Sequence, residues 1–240
     1  DKAKNFALAP HLIKLMWDEP FFSNILRSVT KVRSESIPTA GVLAKDGDIK
    51  MWWNPKFLAS LTADQVKGLL KHEAFHLVFE HTTKRKHDPH IVWNYATDLA
   101  INGMIPKREL PEGGLIPGEA FKPLTDAQKA NMTDDQVARY EKVSAAIASF
   151  PVGLAAEEYF AKLMSDPELK EAIEKGDETG NGKSLAEALR DGDVEFDENG
   201  NLVDKDGNPV TIVPGTMDSH DGWDELPEED REFIKGKVEK

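Results

Sequence analysis

The segment Lys71-His72-Glu73-Ala74-Phe75-His76 carries an H-E-x-x-H motif within an amphipathic stretch of sequence. Two histidines four residues apart lie one above the other on a helix face, so both imidazoles can reach the same metal ion. The glutamate between them lies beside that face, where its carboxylate could take a proton from a water molecule at the metal. The segment therefore predicts a helix that carries a catalytic metal site.

The residues around the motif support this helix. Thr62 and Gln65 form a capping box, which is typical of a helix start. The apolar residues that follow recur with the 3.6-residue period of a helix: Val66, Leu69, Leu70, Ala74, Leu77 and Val78. The helix is predicted to run to about His81. The motif then lies in its middle, where packing on the neighbouring turns would hold a metal site rigid.

A catalytic zinc ion needs a third protein ligand and one open position for water. A metzincin would have a histidine at position 82 and a glycine at position 79, but the chain has Thr82 and Phe79 there, which excludes that pattern. His81 is about 140° around a continuous helix from His76, so it could bind only if the helix broke. The alternative for His81 is a supporting or capping role.

Asp98 is the stronger candidate for the third ligand. It lies in the next predicted helix, where Asn94, Asp98 and Asn102 are four residues apart and share one face. A carboxylate and two amides on an otherwise apolar helix are costly to bury unless they are paired, and a cation held by the two histidines would pair them. The alternative is a structural ion pair between Asp98 and either Arg85 or Lys107.

A family resemblance rests on these residues and on later segments. They are His72-Glu73-x-x-His76, His81 and Arg85, Trp93-Asn94-x-Ala96-x-Asp98-x-x-x-Asn102, Gly153 with Ala156-Glu157-Glu158-Tyr159, and Asp218-x-His220-x-x-Trp223. With them the chain resembles the predicted metallopeptidase domain found in bacterial and phage proteins upstream of a von Willebrand A-like domain. The resemblance covers most of residues 5–235, and residues 72–102 are its most specific part.

The resemblance implies a zincin-like fold, with His72, His76 and Asp98 at a zinc ion and Glu73 as the general base. It also implies a peptide or protein substrate and a partner with a von Willebrand A-like or ATPase domain. The von Willebrand-like domain is not in this sequence, which predicts either a stand-alone version or a fragment. His220 is a separate candidate for stabilising the oxyanion, and capping a turn is its alternative role.

The distribution of charge limits the kinds of partner that the chain can bind, and the absence of cysteine limits the ligands of any metal site. The net charge is −13. Residues 1–120 are nearly neutral, with 16 Lys/Arg and 14 Asp/Glu, whereas residues 121–240 are strongly acidic, with 14 and 29. An acidic surface repels nucleic acid and anionic lipid, so neither is expected as a partner, although a basic protein could dock there. Without cysteine, a metal must be held by His, Asp or Glu.

We predict an α+β fold that is mainly helical, with a small mixed sheet near the N-terminus. Thr39–Ala44 and Asp48–Trp53 flank an Asp-Gly turn and predict a hairpin, to which Val29–Arg33 could add a third strand. A single domain is expected over 1–240, with a catalytic core at 1–124 and an acidic helical region at 125–240. Two further helices are predicted to start after the capping boxes Thr125/Gln128 and Thr133/Gln136. Others are predicted at Asn5–Met16, Pro20–Arg27, Gly153–Leu163, Ser165–Lys175 and Ser184–Arg190. A three-strand β-meander is predicted near 194–213.

The sequence favours a zinc-dependent hydrolase that cleaves peptide bonds with a metal-activated water. A soluble, cytoplasmic protein without a membrane segment is expected, and the first residue, Asp1, predicts a trimmed or processed chain. The rival is a zinc-containing scaffold or adaptor without activity, and a third possibility is a latent enzyme covered by residues 191–230. Glu73 favours the enzyme, because a structural zinc site does not need a carboxylate at that position.

Overall fold

The computed structural model describes residues 2–35, 37, 39–45, 48–79, 87–176, 188, 191–197 and 201–211. They form two compact units. The first lies within Asp1–His87 and Ile105–Pro111, and the second within Asp88–Met104 and Glu112–Thr216. The expectation of a single domain over 1–240 stays a prediction.

The fold is mixed α+β and mostly helical, as predicted. The helices of the described residues are α1 (Lys2–Asn5), α2 (Ala9–Asp18), α3 (Pro20–Arg27), α4 (Pro55–Ser60), α5 (Ala63–Val78), α6 (His90–Asn102), α7 (Asp126–Ala130), α8 (Asp134–Ser149), α9 (Ala156–Met164) and α10 (Pro167–Glu174). The strands are β1 (Thr30–Arg33), β2 (Ala40–Lys45), β3 (Asp48–Trp53), β4 (Val194–Phe196) and β5 (Leu202–Asp204). A 3-10 turn spans Lys107–Glu109.

The first unit contains the predicted sheet, in the order β1-β3-β2. β2 and β3 form an antiparallel hairpin whose register runs from the pair Ala40–Trp53 to the pair Lys45–Asp48. β1 lies parallel to β3 on its other side, with Thr30 opposite Lys50. The prediction of a small mixed sheet near the N-terminus is confirmed, and β2 is an outer strand of that sheet.

The motif helix α5 begins at the predicted capping box. The Thr62 hydroxyl oxygen accepts the Gln65 N–H at 3.2 Å, and the Gln65 side chain accepts the Thr62 N–H at 2.9 Å. Most residues from Val66 to Leu77 are buried, so tertiary packing holds the helix on several sides. α5 ends at Val78, with Phe79 as its C-cap, and the predicted extension to His81 reaches beyond the described residues.

In the second unit, α6 is buried on almost all sides. Its apolar residues, including Val92, Trp93 and Leu99, belong to a core that also takes side chains from α8, α9 and α10. The pair Asp88-Pro89 in the sequence predicts an N-cap followed by the first helical residue, and this prediction is wrong by one position. Pro89 is itself the N-cap, since its backbone is extended (φ −71°, ψ 138°) and its carbonyl oxygen accepts the N–H of Trp93 at 3.1 Å.

The remaining predicted elements are confirmed to different extents. Both later capping boxes are present, at the starts of α7 and α8. The first predicted helix is interrupted: α1 ends at Asn5 and α2 begins at Ala9, because Pro10 lacks an N–H and is accommodated in the first turn of a helix. Of the meander, β4 and β5 pair antiparallel, and one bridge joins Val203 to Pro209. Most of the predicted helix at Ser184–Arg190 lies outside the described residues.

Among the helices of the described residues, none is both long and apolar enough to span a bilayer.

Candidate metal centre

The imidazole rings of the two motif histidines lie close together, as expected for residues four apart on a helix. His72 and His76 are fully buried on α5, with both side chains on one face. Their Nε2 atoms are 3.0 Å apart, and the ring centroids are 4.7 Å apart at an interplanar angle of 65°. Two nitrogens that share a tetrahedral zinc ion at about 2.05 Å would lie roughly 3.3 Å apart, so the observed pair is close to that requirement.

Asp98 comes within reach of the two histidines. Each of the three residues offers one ligand atom, and these atoms all lie within 4.8 Å of one another. Asp98 is fully buried, as are both histidines. Two imidazole nitrogens and one carboxylate oxygen form a donor set that suits a catalytic zinc ion with one position left for water. The residues present therefore fit the metal, and their role as ligands stays a prediction.

Of the other predicted site residues, the structure describes Glu73 but not His81 or His220. Glu73 is fully buried next to His72 on α5, so its carboxylate is shielded from bulk solvent. His81 and His220 lie outside the described residues, as does Arg85, the alternative partner of Asp98. Their predicted roles therefore stay predictions.

Both amide residues on the polar face of α6, Asn94 and Asn102, are buried, and Asn102 has a hydrogen-bond partner in the loop that follows the helix. Asn102 donates from Nδ2 to the carbonyl oxygen of Leu115 at 2.9 Å, which ties the end of α6 to the following loop. Asn94, one turn before Asp98, is buried with 6% of its surface exposed, and Thr97 donates its hydroxyl proton to the Asn94 carbonyl oxygen. Asn102 thus has a structural role that its sequence pattern alone did not reveal.

Four charged residues, two of them on α5, form a group that the sequence did not predict. We call it the Glu109 cluster, and it consists of Glu19, Lys67, Lys71 and Glu109. Lys71 Nζ donates to Glu19 Oε1 and to Glu109 Oε2, both at 2.9 Å, and Lys67 Nζ lies 3.1 Å from Glu109 Oε1. Glu109 is 1% exposed and Lys71 is 6% exposed, so their ionic contact is shielded from solvent. No sequence signal indicated this cluster, because its members come from separate parts of the chain.

The contacts within the cluster shift the pKa of both buried members. Burial by itself raises the pKa of the Glu109 carboxyl, but the hydrogen bonds from Lys71 and Lys67 outweigh it and hold this pKa below its ordinary value of 4.5. Burial likewise lowers the pKa of Lys71, but its hydrogen bonds to Glu19 and Glu109 raise it above the ordinary 10.5. Both side chains therefore stay charged at neutral pH.

The lowered pKa of Glu109 predicts that the folded state becomes less stable in acid. A carboxyl whose pKa is lower in the folded state stabilises the fold above its unfolded pKa, and the contribution disappears as the pH falls through the folded value. We expect the free energy of unfolding of the metal-free chain to decrease below about pH 4.5 for this reason. The contribution of Lys71, whose pKa is raised, is kept until the pH rises above its ordinary value of 10.5.

Urea unfolding at about pH 7 and about pH 3.5 measures the effect. Glu109→Gln should lose less unfolding free energy over this interval than the parent chain, because the variant has no carboxyl to protonate at position 109. Equal losses in the two proteins would contradict the assignment.

Comparison with known proteins identifies the family. A family model described as "Putative metallopeptidase domain" matches residues 4–225. A protein of Thermotoga maritima, described as an uncharacterized protein, is 28% identical over 99 residues, which are 40% of this chain and 25% of the relative. The matched region thus spans about a quarter of that curated relative, and no solved structure matches the chain. Because the family model covers nearly the whole sequence, the chain belongs to the family that carries this description.

Proposed function

We propose that the protein is a zinc-dependent metallopeptidase, in which His72, His76 and Asp98 hold the metal. The observation that carries the proposal is the approach of one ligand atom from each residue to within 4.8 Å of the other two, with all three residues buried. The metallopeptidase family of the chain supports the same activity. A zinc ion bound there would polarise the scissile carbonyl group and acidify the attacking water.

Glu73 is the proposed general base. It follows His72 directly, and its buried carboxylate is a suitable acceptor for one proton of the attacking water. The protonated carboxyl group would then donate this proton to the nitrogen of the leaving amine, so that Glu73 ends the reaction as it began. Burial of the residue favours this role, because exclusion of bulk water strengthens its interaction with the reacting groups.

β2 is the proposed site for the substrate backbone. This strand (Ala40–Lys45) lies at one side of the mixed sheet, and its backbone could pair with a peptide in extended conformation. Such pairing recognises main-chain groups, so it would orient a peptide bond with little dependence on side-chain identity.

Metal analysis of the purified chain tests the proposal. We expect about one zinc ion per chain in the parent protein, its loss in Asp98→Ala and its retention in Asp64→Asn. Asp64 is a suitable control because it lies in the first turn of the same helix, α5, outside the candidate centre. A parent chain that binds no zinc, or an Asp98→Ala variant that binds zinc as tightly as the parent, would contradict the assigned centre.

Cleavage of denatured casein separates the enzyme from a scaffold. The zinc-loaded protein should degrade casein, and a chelator should abolish the reaction, because both carbonyl polarisation and water activation depend on the metal. Stoichiometric zinc without cleavage would favour the scaffold alternative. Activity that appears only after residues 191–230 are removed would favour the latent enzyme.

A further inference from the structure

The face of α6 that carries Asp98 has one amide side chain on either side of it. Asn94 lies one turn before Asp98 and Asn102 one turn after it, and both are buried, with 6% and 1% of their surface exposed. Asn102 is paired, because its Nδ2 donates to the Leu115 carbonyl oxygen at 2.9 Å. Asn94 differs, since its Oδ1 is fully buried and accepts no hydrogen bond from the residues that the structure describes.

An unpaired amide oxygen in the protein interior is uncommon and needs a physical reason. Burying it without a donor is unfavourable, because the hydrogen bonds that it made to water in the unfolded chain are not replaced. The hydroxyl group of Thr97 does not satisfy it, since its proton is donated to the backbone carbonyl oxygen of Asn94 at 2.9 Å. The backbone at position 94 is therefore held in place, while the side-chain oxygen stays available to another donor.

Helix geometry places Asn94 beside any ion that Asp98 binds. Side chains tilt towards the N-terminus of their helix, so the side chain of Asp98 lies over the turn that contains Asn94. The Cβ atoms of residues four apart on one helix face are about 5–6 Å apart. A carboxylate oxygen of Asp98 comes within 4.8 Å of a ring nitrogen of each motif histidine. Asn94 therefore lies on the side of Asp98 towards which this carboxylate leans, and Asn102 lies on the other side.

We infer that the side-chain oxygen of Asn94 accepts a hydrogen bond from the attacking water when this water occupies the open position of the metal centre. This inference rests on the proposed function. A water molecule has two protons, and Glu73 is the proposed acceptor of one of them. A second acceptor for the other proton fixes the orientation of the water oxygen, and correct orientation of a nucleophile lowers the barrier to attack. An amide oxygen suits this role, because it accepts a hydrogen bond at neutral pH without removing the proton.

The stability of the metal-free chain gives a first test that needs no activity. Asn94→Ala removes an amide oxygen that has no donor in this state, so we expect the Tm of this variant to equal or exceed that of the parent. Asn102→Ala is the matched control, because it leaves the buried carbonyl oxygen of Leu115 without its donor, and its Tm should fall by roughly 2–4 °C. Equal losses of Tm in the two variants would overturn the inference, since Asn94 would then have a structural partner.

The metal-loaded chain gives the second test. Because Asn94 is not assigned as a ligand, Asn94→Ala should still bind about one zinc ion per chain. Its kcat for a fluorogenic peptide that the parent cleaves should fall by about 10–100-fold with KM unchanged, in the range found for residues that support a metal site. The visible absorption of the cobalt-substituted chain should change in Asn94→Ala and match the parent in Asn102→Ala, because only Asn94 contacts the water at the ion.

Asn94→Leu is the second variant, in case Asn94→Ala folds poorly. Leucine is branched at the same carbon as asparagine and has no acceptor, so this variant should also keep zinc and lose kcat. An unchanged kcat in both variants would overturn the inference while the zinc peptidase stands. Loss of zinc from Asn94→Ala to the same extent as from Asp98→Ala would also overturn it, because Asn94 would then be a ligand. A parent chain that binds no zinc would refute both the inference and the proposed function.

Discussion

Glu73→Gln is expected to keep the zinc ion and to lose peptide cleavage by about 10²–10⁴-fold. Glutamine has nearly the same size and can occupy the same buried position, so the helix and the metal ligands should be undisturbed. Its amide cannot accept a proton from water at neutral pH, and the proposed general base is therefore lost. The measurements are zinc content and the initial rate of casein cleavage under identical conditions.

His76→Ala is the control for this prediction. It removes one of the proposed ligands and should abolish both zinc binding and cleavage, so the two variants differ in metal content and agree in lost activity. If Glu73→Gln cleaves casein as fast as the parent chain, Glu73 is not the base. If the Glu73→Gln variant loses zinc as well, its lower rate cannot be assigned to proton transfer.

Gly68→Ala is expected to destabilise the fold by roughly 1–3 kcal/mol, the range for overpacking of a close contact. Alanine alone would stabilise the helix by about 1 kcal/mol relative to glycine. The added methyl group, however, would lie 1.9 Å from the Glu109 carbonyl oxygen, and backbone atoms cannot yield as a flexible side chain can. The steric term therefore outweighs the gain in helix propensity. Urea unfolding of the metal-free chain measures the change.

Gly103→Ala is the matched substitution at a position with room. Gly103 has an ordinary helical φ of −63°, and a methyl group there would be 3.4 Å or more from its nearest neighbours. We expect the free energy of unfolding of this variant to stay within about 0.5 kcal/mol of the parent value. Equal stability of the Gly68 and Gly103 variants would show that the backbone at Glu109 does not approach Gly68 this closely.

Local signals in the sequence predicted the elements that carry the candidate site. The capping box at Thr62 fixed the start of α5 because both of its hydrogen bonds are made within four residues of chain. The Asp-Gly turn between Thr39–Ala44 and Asp48–Trp53 correctly predicted the hairpin for the same reason. The start of α6 was off by one residue, since Asp88 and Pro89 both suit a helix start and the local pattern does not choose between them.

Asp98 was singled out because a charged residue on an apolar helix face is costly to bury alone. This argument could be made from α6 by itself, and the structure brings the carboxylate close to both histidines. The argument could not assign Asn102, which shares the face, to its hydrogen bond with Leu115. The partner is a backbone carbonyl in a loop, and any residue type could have supplied it.

The sequence by itself determined that two histidines and a glutamate share one helix, because helix geometry places residues four apart on one face. Only the tertiary structure brought Asp98 to these histidines and gathered Glu109, Lys71 and Lys67 around Gly68. Helix starts and tight turns are encoded by neighbouring residues. Contacts between residues more than 20 apart in sequence, as all of these are, depend on how the packed elements are arranged, and no local pattern specifies that arrangement.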